Sequence, residues 1–371
     1  MEFQKTNLGE LSVNGKGSYG IAASAVPYSD ELFTYLRITD INDDGTLNKS
    51  GLMSVSDEKA EQYLLKPNDI VFARTGGSTG RSYFYDGTDG EFVYAGFLIK
   101  FSIDSTKVNP RFIKYYCLSQ EYRGWVHSFN TGSTRGNINA QTYANMPILL
   151  PSREQQDLLV DTLSVIDEKI KLNTAINENL EQQAQAIYRS MFVTLHHDSD
   201  RMGLLSELIT VKYGKDHKKL NDGVYPVYGS GGIMRYVERP LYDKESVLIP
   251  RKGSLNNVMY VNEPFWSVDT MFYTEMKQPN VAKFVFHFVK SKDLASLNAG
   301  SAVPSMTTDI LNSMELRIPS ADRLAEFEGL VAPLYRAIED NTRQSARLAA
   351  LRDTLLPKLM NGEIDVSVVK I

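Results

Sequence analysis

Two short stretches of the chain combine a cation with glycine and a hydroxyl side chain. Residues 74–78 read Arg-Thr-Gly-Gly-Ser and residues 251–254 read Arg-Lys-Gly-Ser, and each stretch follows an apolar run that predicts a β-strand. Glycine lets the backbone approach a phosphate closely, and serine or threonine can donate a hydrogen bond to it. An arginine can instead read guanine through two hydrogen bonds, so the role of each arginine stays open. The predicted nucleic-acid contacts here are Arg74, Thr75, Gly76, Ser78, Arg251, Lys252 and Ser254.

Other polar side chains in loop-like stretches extend this candidate set. A basic cluster within residues 212–219 suits contacts to phosphate, because lysine and phosphate attract each other whatever the base sequence. The further candidates are Lys212, Lys215, Lys218, Lys219, Arg81, Arg135, Tyr228 and Asn256. The alternative for each candidate is a solvated surface residue or a structural ion pair, and for a tyrosine it is a place in the core.

No motif of a known enzyme active site accompanies these residues. Residues 109–112, Asn-Pro-Arg-Phe, differ from the Asn-Pro-Pro-aromatic loop of adenine methyltransferases at the third position. The sequence has no phosphate-binding loop ending in Gly-Lys-Ser/Thr, no Gly-x-Ser-x-Gly elbow and no His-Glu-x-x-His pair. Cys117 is the single cysteine, which excludes an internal disulfide and a cysteine-rich zinc site. The sequence therefore predicts no catalysis and no metal or cofactor bound by this chain.

The composition is typical of a folded protein of two domains. The chain has 371 residues, of which 42% are hydrophobic and 10% aromatic. We expect a cytoplasmic protein, because no signal peptide and no apolar run of about 18 residues is present. The formal net charge of −5 argues weakly against nucleic acid. Binding depends on where the charges lie, and much of the acidity falls in two helical stretches.

The chain repeats itself, which accounts for the two matched stretches. Residues 132–192 align without a gap with residues 300–360, at a constant offset of 168. Upstream the offset changes to 177 between Arg74 and Arg251, and to 197 between Gly9 and Ser206. The second copy is therefore shorter in its globular part. The two copies share the same order of segments and differ in many of the residues within those segments.

Each copy ends in a long helix. Ser152 and Gln155 predict a capping box at the start of the first helix, and no glycine or proline follows before residue 192. Apolar and asparagine side chains are spaced alternately four and three apart, which is the heptad pattern of paired helices. The predicted packing residues are Leu163, Ile166, Ile170, Asn173, Leu180 and Ile187 in the first helix and Leu334, Ile338, Asn341, Leu348 and Leu355 in the second.

The order of the segments determines how these helices pair. The first helix leads from one globular part to the other, so a second helix packed along it must run back, and the pair is antiparallel. Asn173 and Asn341 lie near the helix centres and should meet, where a polar pair can set the register. Arg352 is polar, and Pro333 and Pro357 should kink or end the second helix locally.

This layout resembles the specificity subunits of type I restriction–modification systems over essentially the whole chain. The order of the motifs and their duplication carry the resemblance. Residues 225–233 are similar to the opening of a recognition domain, and residues 246–254 and 263–270 to its central block. Residues 145–151 and 316–319 are similar to the entries to the family's long helices, and residues 355–364 are similar to the close of its second helix. One departure is Pro250, where the first copy has Ala73.

The resemblance implies an α+β fold. Two mixed α/β target-recognition domains would be separated by two long antiparallel helices that form a coiled-coil spacer, with pseudo-two-fold symmetry. The expected segments are a first recognition domain at 1–150, a first spacer helix at 151–192, a second domain at 193–318 that begins with a linker at 193–202, a second spacer helix at 319–361 and a C-terminal tail at 362–371.

The resemblance also implies a non-catalytic role in a larger complex. The chain would read an asymmetric bipartite site in double-stranded DNA, because its two domains differ. Two methyltransferase subunits carrying S-adenosylmethionine would dock on the helix pair, and restriction subunits using ATP and Mg²⁺ would join them. The alternative is a coiled-coil scaffold that assembles proteins without reading DNA.

Overall fold

The computed structural model describes residues 3–129, 136–194, 197–297 and 305–364. The chain forms two compact units: unit 1 is Met1–Leu172 with Gln344–Ile371, and unit 2 is Asn173–Arg343. These units differ from the expected segments, because each long helix contributes part of its length to the core of each unit. Within the described ranges, no helix has the length and apolar character needed to cross a membrane.

The elements of the first globular part alternate short strands with short helices. Its strands are β1 (Gln4–Asn7), β2 (Ser18–Tyr19), β3 (Ala25–Val26), β4 (Phe33–Leu36), β5 (Met53–Val55), β6 (Asp69–Ala73), β7 (Ser82–Tyr85), β8 (Phe92–Tyr94), β9 (Leu98–Ser102) and β10 (Pro147–Leu150). Its α-helices are α1 (Pro110–Tyr116), α2 (Gln120–His127) and α3 (Ala140–Ala144). Single 3-10 turns lie at Lys49–Gly51, Ala60–Tyr63 and Gly76–Ser78.

The second globular part follows the first long helix, α4 (Arg153–Arg189), and a π-helical turn at Ser190–Thr194. Its strands are β11 (Arg201–Leu204), β12 (Ile209–Tyr213), β13 (Asp222–Gly229), β14 (Gly232–Val237), β15 (Ser246–Pro250), β16 (Met259–Val261), β17 (Trp266–Ser267), β18 (Met271–Met276) and β19 (Glu315–Ile318). Its helices are α5 (Leu205–Leu208), α6 (Ala282–Lys290) and α7 (Thr308–Asn312), and the second long helix is α8 (Ala321–Met360).

The repeat in the sequence is a repeat of sheet topology. Unit 1 has a sheet in the order β2-β9-β6-β7, and unit 2 has its counterpart in the order β12-β18-β15-β16. The second sheets contain matching parallel pairs, β4 with β8 and β13 with β17. In the described residues this sheet has four strands in unit 1 and three in unit 2, where β3 has no counterpart. The missing strand explains part of the change in offset along the chain.

The central strand of each four-stranded main sheet is buried in the core of its unit. All five residues of β6 and all five of β15 are buried, as expected for central strands covered on both faces. Asp69 is buried at the start of β6, where Lys100 neutralises it at 3.0 Å. The chain leaves the core directly after each of these strands. Arg74 is the first residue after β6, and Arg251 is the first residue after β15.

The long helices begin where the sequence predicts. Ser152 and Gln155 form the capping box, with backbone-to-side-chain bonds of 3.4 Å in each direction. Ser320 accepts from the N–H of Arg323 at 3.4 Å and caps α8 in the equivalent place. The structure gives α4 as Arg153–Arg189, somewhat shorter than the expected 151–192, and α8 as Ala321–Met360.

The helices pair antiparallel inside each unit. In unit 1, Arg352 of α8 reaches Asp167 of α4 at 3.1 Å, and Leu163 and Leu359 belong to one core. In unit 2, Asn173 donates to the carbonyl of Asn341 at 3.4 Å. Residue numbers rise along α4 as the numbers of their partners in α8 fall, which is the pattern of antiparallel helices. The predicted antiparallel pairing is confirmed. All of the predicted packing residues are buried or half-buried.

A layer of polar side chains lies in the apolar seam of unit 2. Asn341 donates to the Oδ1 of Asn177 at 2.9 Å, and Asn177 donates to the carbonyl of Ile338 at 3.4 Å and to Thr342 Oγ1 at 3.3 Å. Asn173 is fully buried beside them. These bonds form in one register only, because the amides must face each other across the helices.

The sequence predicts that Pro333 and Pro357 kink or end the second helix. Neither ends it, since α8 continues through both, and the kink stays a prediction. A proline removes one backbone donor, but neighbours on both sides hold the helix against the core. Val331 and Tyr335 are buried around Pro333, and Leu356 and Leu359 around Pro357. The predicted class, two mixed α/β domains with two long antiparallel helices, is confirmed. The pseudo-two-fold relation stays a prediction.

We predict an energetic coupling between Asn177 and Asn341. Alanine at either position should lower the free energy of unfolding, and the double substitution should cost less than the two single costs together, with a coupling of about 1 kcal/mol. Urea unfolding of the four proteins measures this quantity. Asn179→Ala is the matched control, because Asn179 is exposed and bonds Gln183 of its own helix. Strictly additive costs at Asn177 and Asn341 would contradict the proposed layer.

Candidate nucleic-acid interface

Arg74 lies directly after β6 and is oriented from three directions. Its N–H donates to the carbonyl of Phe97 at 3.0 Å, and its carbonyl accepts from Ile138 at 2.9 Å. The guanidinium carbon lies 5.1 Å from the ring centroid of Tyr19, the last residue of β2. Its Nε is buried without a hydrogen-bond partner among the described residues. A half-buried cation is therefore held in place with hydrogen-bonding capacity to spare.

Arg251 occupies the same place in unit 2. Its N–H donates to the carbonyl of Thr270 at 2.9 Å, and its carbonyl accepts from Met306 at 2.9 Å. The guanidinium carbon lies 5.6 Å from the ring centroid of Tyr213, the last residue of β12. One terminal nitrogen donates to the carbonyl of Asp269 at 3.0 Å. Within the described ranges, neither this guanidinium nor that of Arg74 forms an ion pair with a carboxylate.

The loop after Arg74 leaves backbone open to an incoming group. Thr75 pairs with Asn137 through a β-bridge, and Gly76 has φ of +78°, which favours glycine. No atom of the described chain lies within 4 Å of where a Cβ would stand on Gly76 or Gly77. Ser78 is only 9% exposed, contrary to the prediction that it contacts nucleic acid. The 3-10 turn carries the chain back toward β7 and turns this side chain inward.

The corresponding loop of unit 2 is more basic. Lys252 is exposed and pairs with Ser305 through a β-bridge, and Ser254 is also exposed. Gly253 has φ of +84°, and a Cβ there would lie 2.7 Å from Ser230 Oγ. This glycine serves the turn, and the cation before it faces solvent.

A second basic segment of unit 2 follows Tyr213. Lys215, Lys218 and Lys219 are exposed, as the prediction of phosphate contacts requires. The segment is shaped by Asp216, which accepts the N–H of Lys218 at 3.1 Å. That backbone hydrogen bond, the largest influence, holds the pKa of the Asp216 carboxyl below its ordinary value. The turn therefore keeps one anion engaged locally while three cations point outward.

Two predicted cations have structural partners. Arg81 donates to Asp43 at 2.7 Å and to the carbonyl of Ile41 at 3.0 Å, which ties two loops of unit 1 together. Lys212 lies 3.5 Å from Glu275 on the neighbouring strand. The alternative reading, a structural ion pair, describes both residues. Arg135 lies outside the described residues.

Tyr228 and Asn256 also bond within unit 2. The Tyr228 hydroxyl donates to Glu263 at 3.0 Å. Burial is the main cause that raises the pKa of this tyrosine, and the charge of Glu263 is the second. Asn256 donates to Asp293 at 3.0 Å and accepts from the N–H of Ala295 at 3.0 Å. Its amide also lowers the pKa of Asp293. These bonds occupy both ends of the Asn256 amide, so a contact to a base edge would first have to break them.

Sequence reasoning missed the aromatic residues at this surface. Tyr19, Tyr213 and Phe97 are 43%, 53% and 59% exposed, although large aromatic side chains are usually buried. Each tyrosine ends a strand in its own copy of the repeat, which becomes visible only once the strands are known. Among the described residues no group of three or more histidine, cysteine or acidic side chains is placed to hold a metal.

The family model for the type I restriction modification DNA specificity domain matches residues 5–182 and 203–323. These two matches cover most of the chain and contain both arginine sites. The chain therefore belongs to the family of type I restriction modification DNA specificity domains. Membership confirms the resemblance drawn from the sequence and makes the chain a DNA specificity subunit, which is not a catalytic one.

Individual relatives agree with this assignment. The chain is 22% identical to the HindI specificity subunit of Haemophilus influenzae, over 81% of this chain and 87% of that protein. It is 20% identical to the EcoprrI specificity subunit of Escherichia coli, over 78% and 77% of the two chains. The crystal structure of a type I restriction–modification S subunit from M. genitalium superposes with a TM-score of 0.55 at 18% identity, covering 97% and 96% of the two chains. At this identity the superposition supports the fold alone.

We predict different effects of alanine at two glycines of the unit 1 loop. Gly77→Ala should leave the thermal unfolding midpoint unchanged, because its Cβ would stand in open space, and should weaken DNA binding, because the methyl group takes room that a phosphate would use. Gly80→Ala should lower the midpoint, since Gly80 has φ of +88° and its Cβ would lie 2.4 Å from Val126. Full DNA affinity in Gly77→Ala would show that no backbone approach occurs there.

Proposed function

We propose that the chain reads an asymmetric bipartite site in double-stranded DNA, one half-site with each unit. The observation that carries this proposal is the recurrence of one arginine geometry in two domains whose surrounding loops differ. A shared geometry suits a shared ligand, and unlike loops suit unlike base sequences. The half-site centres should lie about one helical turn apart, so that both domains reach one face of the duplex.

The unlike surroundings support an asymmetric target. Unit 1 presents a glycine loop and the exposed ring of Phe97, whereas unit 2 presents Lys252 and the lysine segment at 215–219. Cations in these places also explain how a chain of net charge −5 binds a polyanion. Binding at this interface depends on local charge and not on the net charge of the chain.

We further propose that methyltransferase subunits dock on the helix pair. Leu158, Val165 and Leu172 of α4 are 37%, 51% and 53% exposed and recur every seven residues on one face. Apolar side chains repeated at the heptad spacing suit a partner surface, because isolated exposed residues would not keep this period. Exposed Asp161 and Glu168 flank the stripe and suit a polar rim around the contact.

The proposed complex divides the chemistry among its subunits. The methyltransferase subunits would carry S-adenosylmethionine, and restriction subunits would supply ATP- and Mg²⁺-dependent cleavage, so this chain needs no cofactor of its own. Such a complex would work in the cytoplasm, where the DNA is. The alternative is a coiled-coil scaffold that assembles partners without reading DNA.

Selection from a pool of duplexes with a randomised centre tests the recognition role. The chain, alone and with a modification subunit encoded beside its gene, should enrich one motif made of two unlike short half-sites and an unread gap. Sequencing of the bound duplexes identifies the motif. Bound duplexes that share no motif would favour the scaffold. A palindromic motif would contradict the proposal of two unlike half-sites.

Val165→Glu tests the docking stripe. The substitution should weaken binding of the methyltransferase subunit at least tenfold, because a carboxylate would be buried without a partner. Its effect on DNA selected by the chain alone should be small. Val13→Glu is the matched control, since Val13 is 59% exposed in unit 1 and is not part of either long helix. Isothermal titration with the methyltransferase subunit measures the affinity, and equal binding by the two variants would place the partner elsewhere.

A further inference from the structure

Backbone pairing identifies equivalent positions in the two units without reference to side chains. In unit 1, Ile99 is paired with both Tyr19 and Phe72, and Arg74 lies two residues beyond Phe72. In unit 2, Phe272 is paired with both Tyr213 and Ile249, and Arg251 lies two residues beyond Ile249. The two arginine–tyrosine pairs therefore stand in the same register of the same sheet.

Neighbouring positions are matched by the same criterion. The residue that accepts the arginine N–H is Phe97 in unit 1 and Thr270 in unit 2, and the residue that donates to the arginine carbonyl is Ile138 or Met306. The β-bridge beside each arginine joins Thr75 to Asn137 and Lys252 to Ser305. The six matched pairs are Arg74 and Arg251, Tyr19 and Tyr213, Thr75 and Lys252, Phe97 and Thr270, Asn137 and Ser305, and Ile138 and Met306.

Of these six pairs, only the arginine and the tyrosine are the same residue in both units. The glycines that follow at the turns, Gly76 and Gly253, are also matched, but they carry no side chain that could contact DNA. The arginine and the tyrosine contact each other in each unit, whereas the other four positions around them have changed. The distances along the chain between matched residues also differ, because insertions separate them. The pair has therefore kept its geometry while the chain around it was altered.

Packing alone does not account for this identity. Both rings are about half exposed, and their other contacts differ, since Tyr213 packs edge-on against Phe272 whereas the Tyr19 hydroxyl accepts from the N–H of Ala140 at 3.2 Å. In the described chain neither guanidinium has a carboxylate partner, and Arg74 Nε is buried without a hydrogen bond. A cation that is oriented by a ring and left without an anion is suited to an anion supplied from outside.

The sugar–phosphate backbone is the part of DNA that two unlike half-sites have in common. A residue that reads a base must differ when the base differs, while a phosphate contact serves any sequence. Guanidinium binds phosphate through two parallel hydrogen bonds, and an aromatic ring against its face leaves that edge free. The identical pair thus matches the invariant part of the ligand.

We propose that Arg74 and Arg251 bind DNA phosphates as equivalent anchors, and that the matched positions that differ and are not buried discriminate bases. This inference rests on the proposed function and assigns the arginine role that the sequence left open. Tyr19 and Tyr213 are positioning residues, which keep each guanidinium extended toward the backbone. The discriminating positions are Thr75, Phe97 and Asn137 in unit 1 and Lys252, Thr270 and Ser305 in unit 2.

The test compares Arg74→Gln and Arg251→Gln with the unaltered full chain, on the duplex motif that the unaltered chain enriches and on a scrambled duplex. Each substitution should weaken binding about tenfold on both duplexes, so that their ratio is unchanged. The slope of log K against log salt concentration should fall by about 0.9 for each arginine removed. Each variant should still enrich the motif of the unaltered chain.

The controls separate the arginine sites from net charge and from folding. Arg123→Gln and Arg317→Gln remove an exposed cation from α2 and from β19, and should leave the salt slope unchanged. Tyr213→Leu should weaken binding, and Tyr213→Phe should restore it because the ring remains. Circular dichroism melting of each variant shows whether it is folded. Thr75→Lys, which copies the unit 2 residue, should change the preferred bases of one half-site.

The outcomes distinguish this inference from the proposed function. A changed motif, or a loss confined to the specific duplex, in Arg74→Gln or Arg251→Gln would make that arginine a base reader and overturn the inference while the function stands. Unchanged affinity and salt slope in both folded variants would also overturn it. Failure of the unaltered chain to enrich any motif would refute the proposed function, and the anchors with it.

Discussion

The antiparallel pairing of α4 and α8 is the constraint on which the rest of the structure depends. Neither helix could bury its apolar seam alone, and each unit builds its core partly from both helices. Polar groups in the seam determine which residues meet. Asn177 and Asn341 bond in unit 2, and Asp167 and Arg352 bond in unit 1, so a shift of either helix by one residue would leave buried polar atoms unpaired. The pairing thus specifies a register as well as a direction.

The two units solve one packing problem with different chemistry. The repeat offset of 168 places Tyr335 and Ala184 of unit 2 where unit 1 has Asp167 and Arg352. In unit 1, burial raises the pKa of Asp167 but Lys114 and Arg352 outweigh it, so the pKa lies below its ordinary value and the carboxylate stays charged. In unit 2, Tyr335 and Ala184 belong to one apolar core, and the Tyr335 hydroxyl forms a hydrogen bond with His287 at 3.0 Å. The ion pair in unit 1 and the tyrosine–histidine pair in unit 2 each give the buried polar side chains a partner.

The sequence predicted what depends on local periodicity. Heptad spacing and Ser152 located the long helices, and an apolar run followed by arginine located Arg74 and Arg251. Contacts between segments that are distant along the chain could not be predicted from the sequence. The ring of Tyr19 reaches Arg74 only because β2 pairs with β9, and Arg81 is engaged because a distant loop brings Asp43 to it. Residue type made Ser78 a surface candidate, and a single turn of 3-10 helix buried it.

The proposed anchors beside variable neighbours would let one fold accommodate different DNA targets. Insertions in the globular parts changed the second sheet and the loops, yet the strand order around each arginine is the same in both units. The side chains at the matched bridge and turn positions project from a backbone that is already held by β6 or β15. Their replacement therefore alters what faces a base without repacking the buried strand beneath. Because the proposed anchors would supply affinity that does not depend on base sequence, a domain whose neighbouring residues have changed would still bind DNA through them.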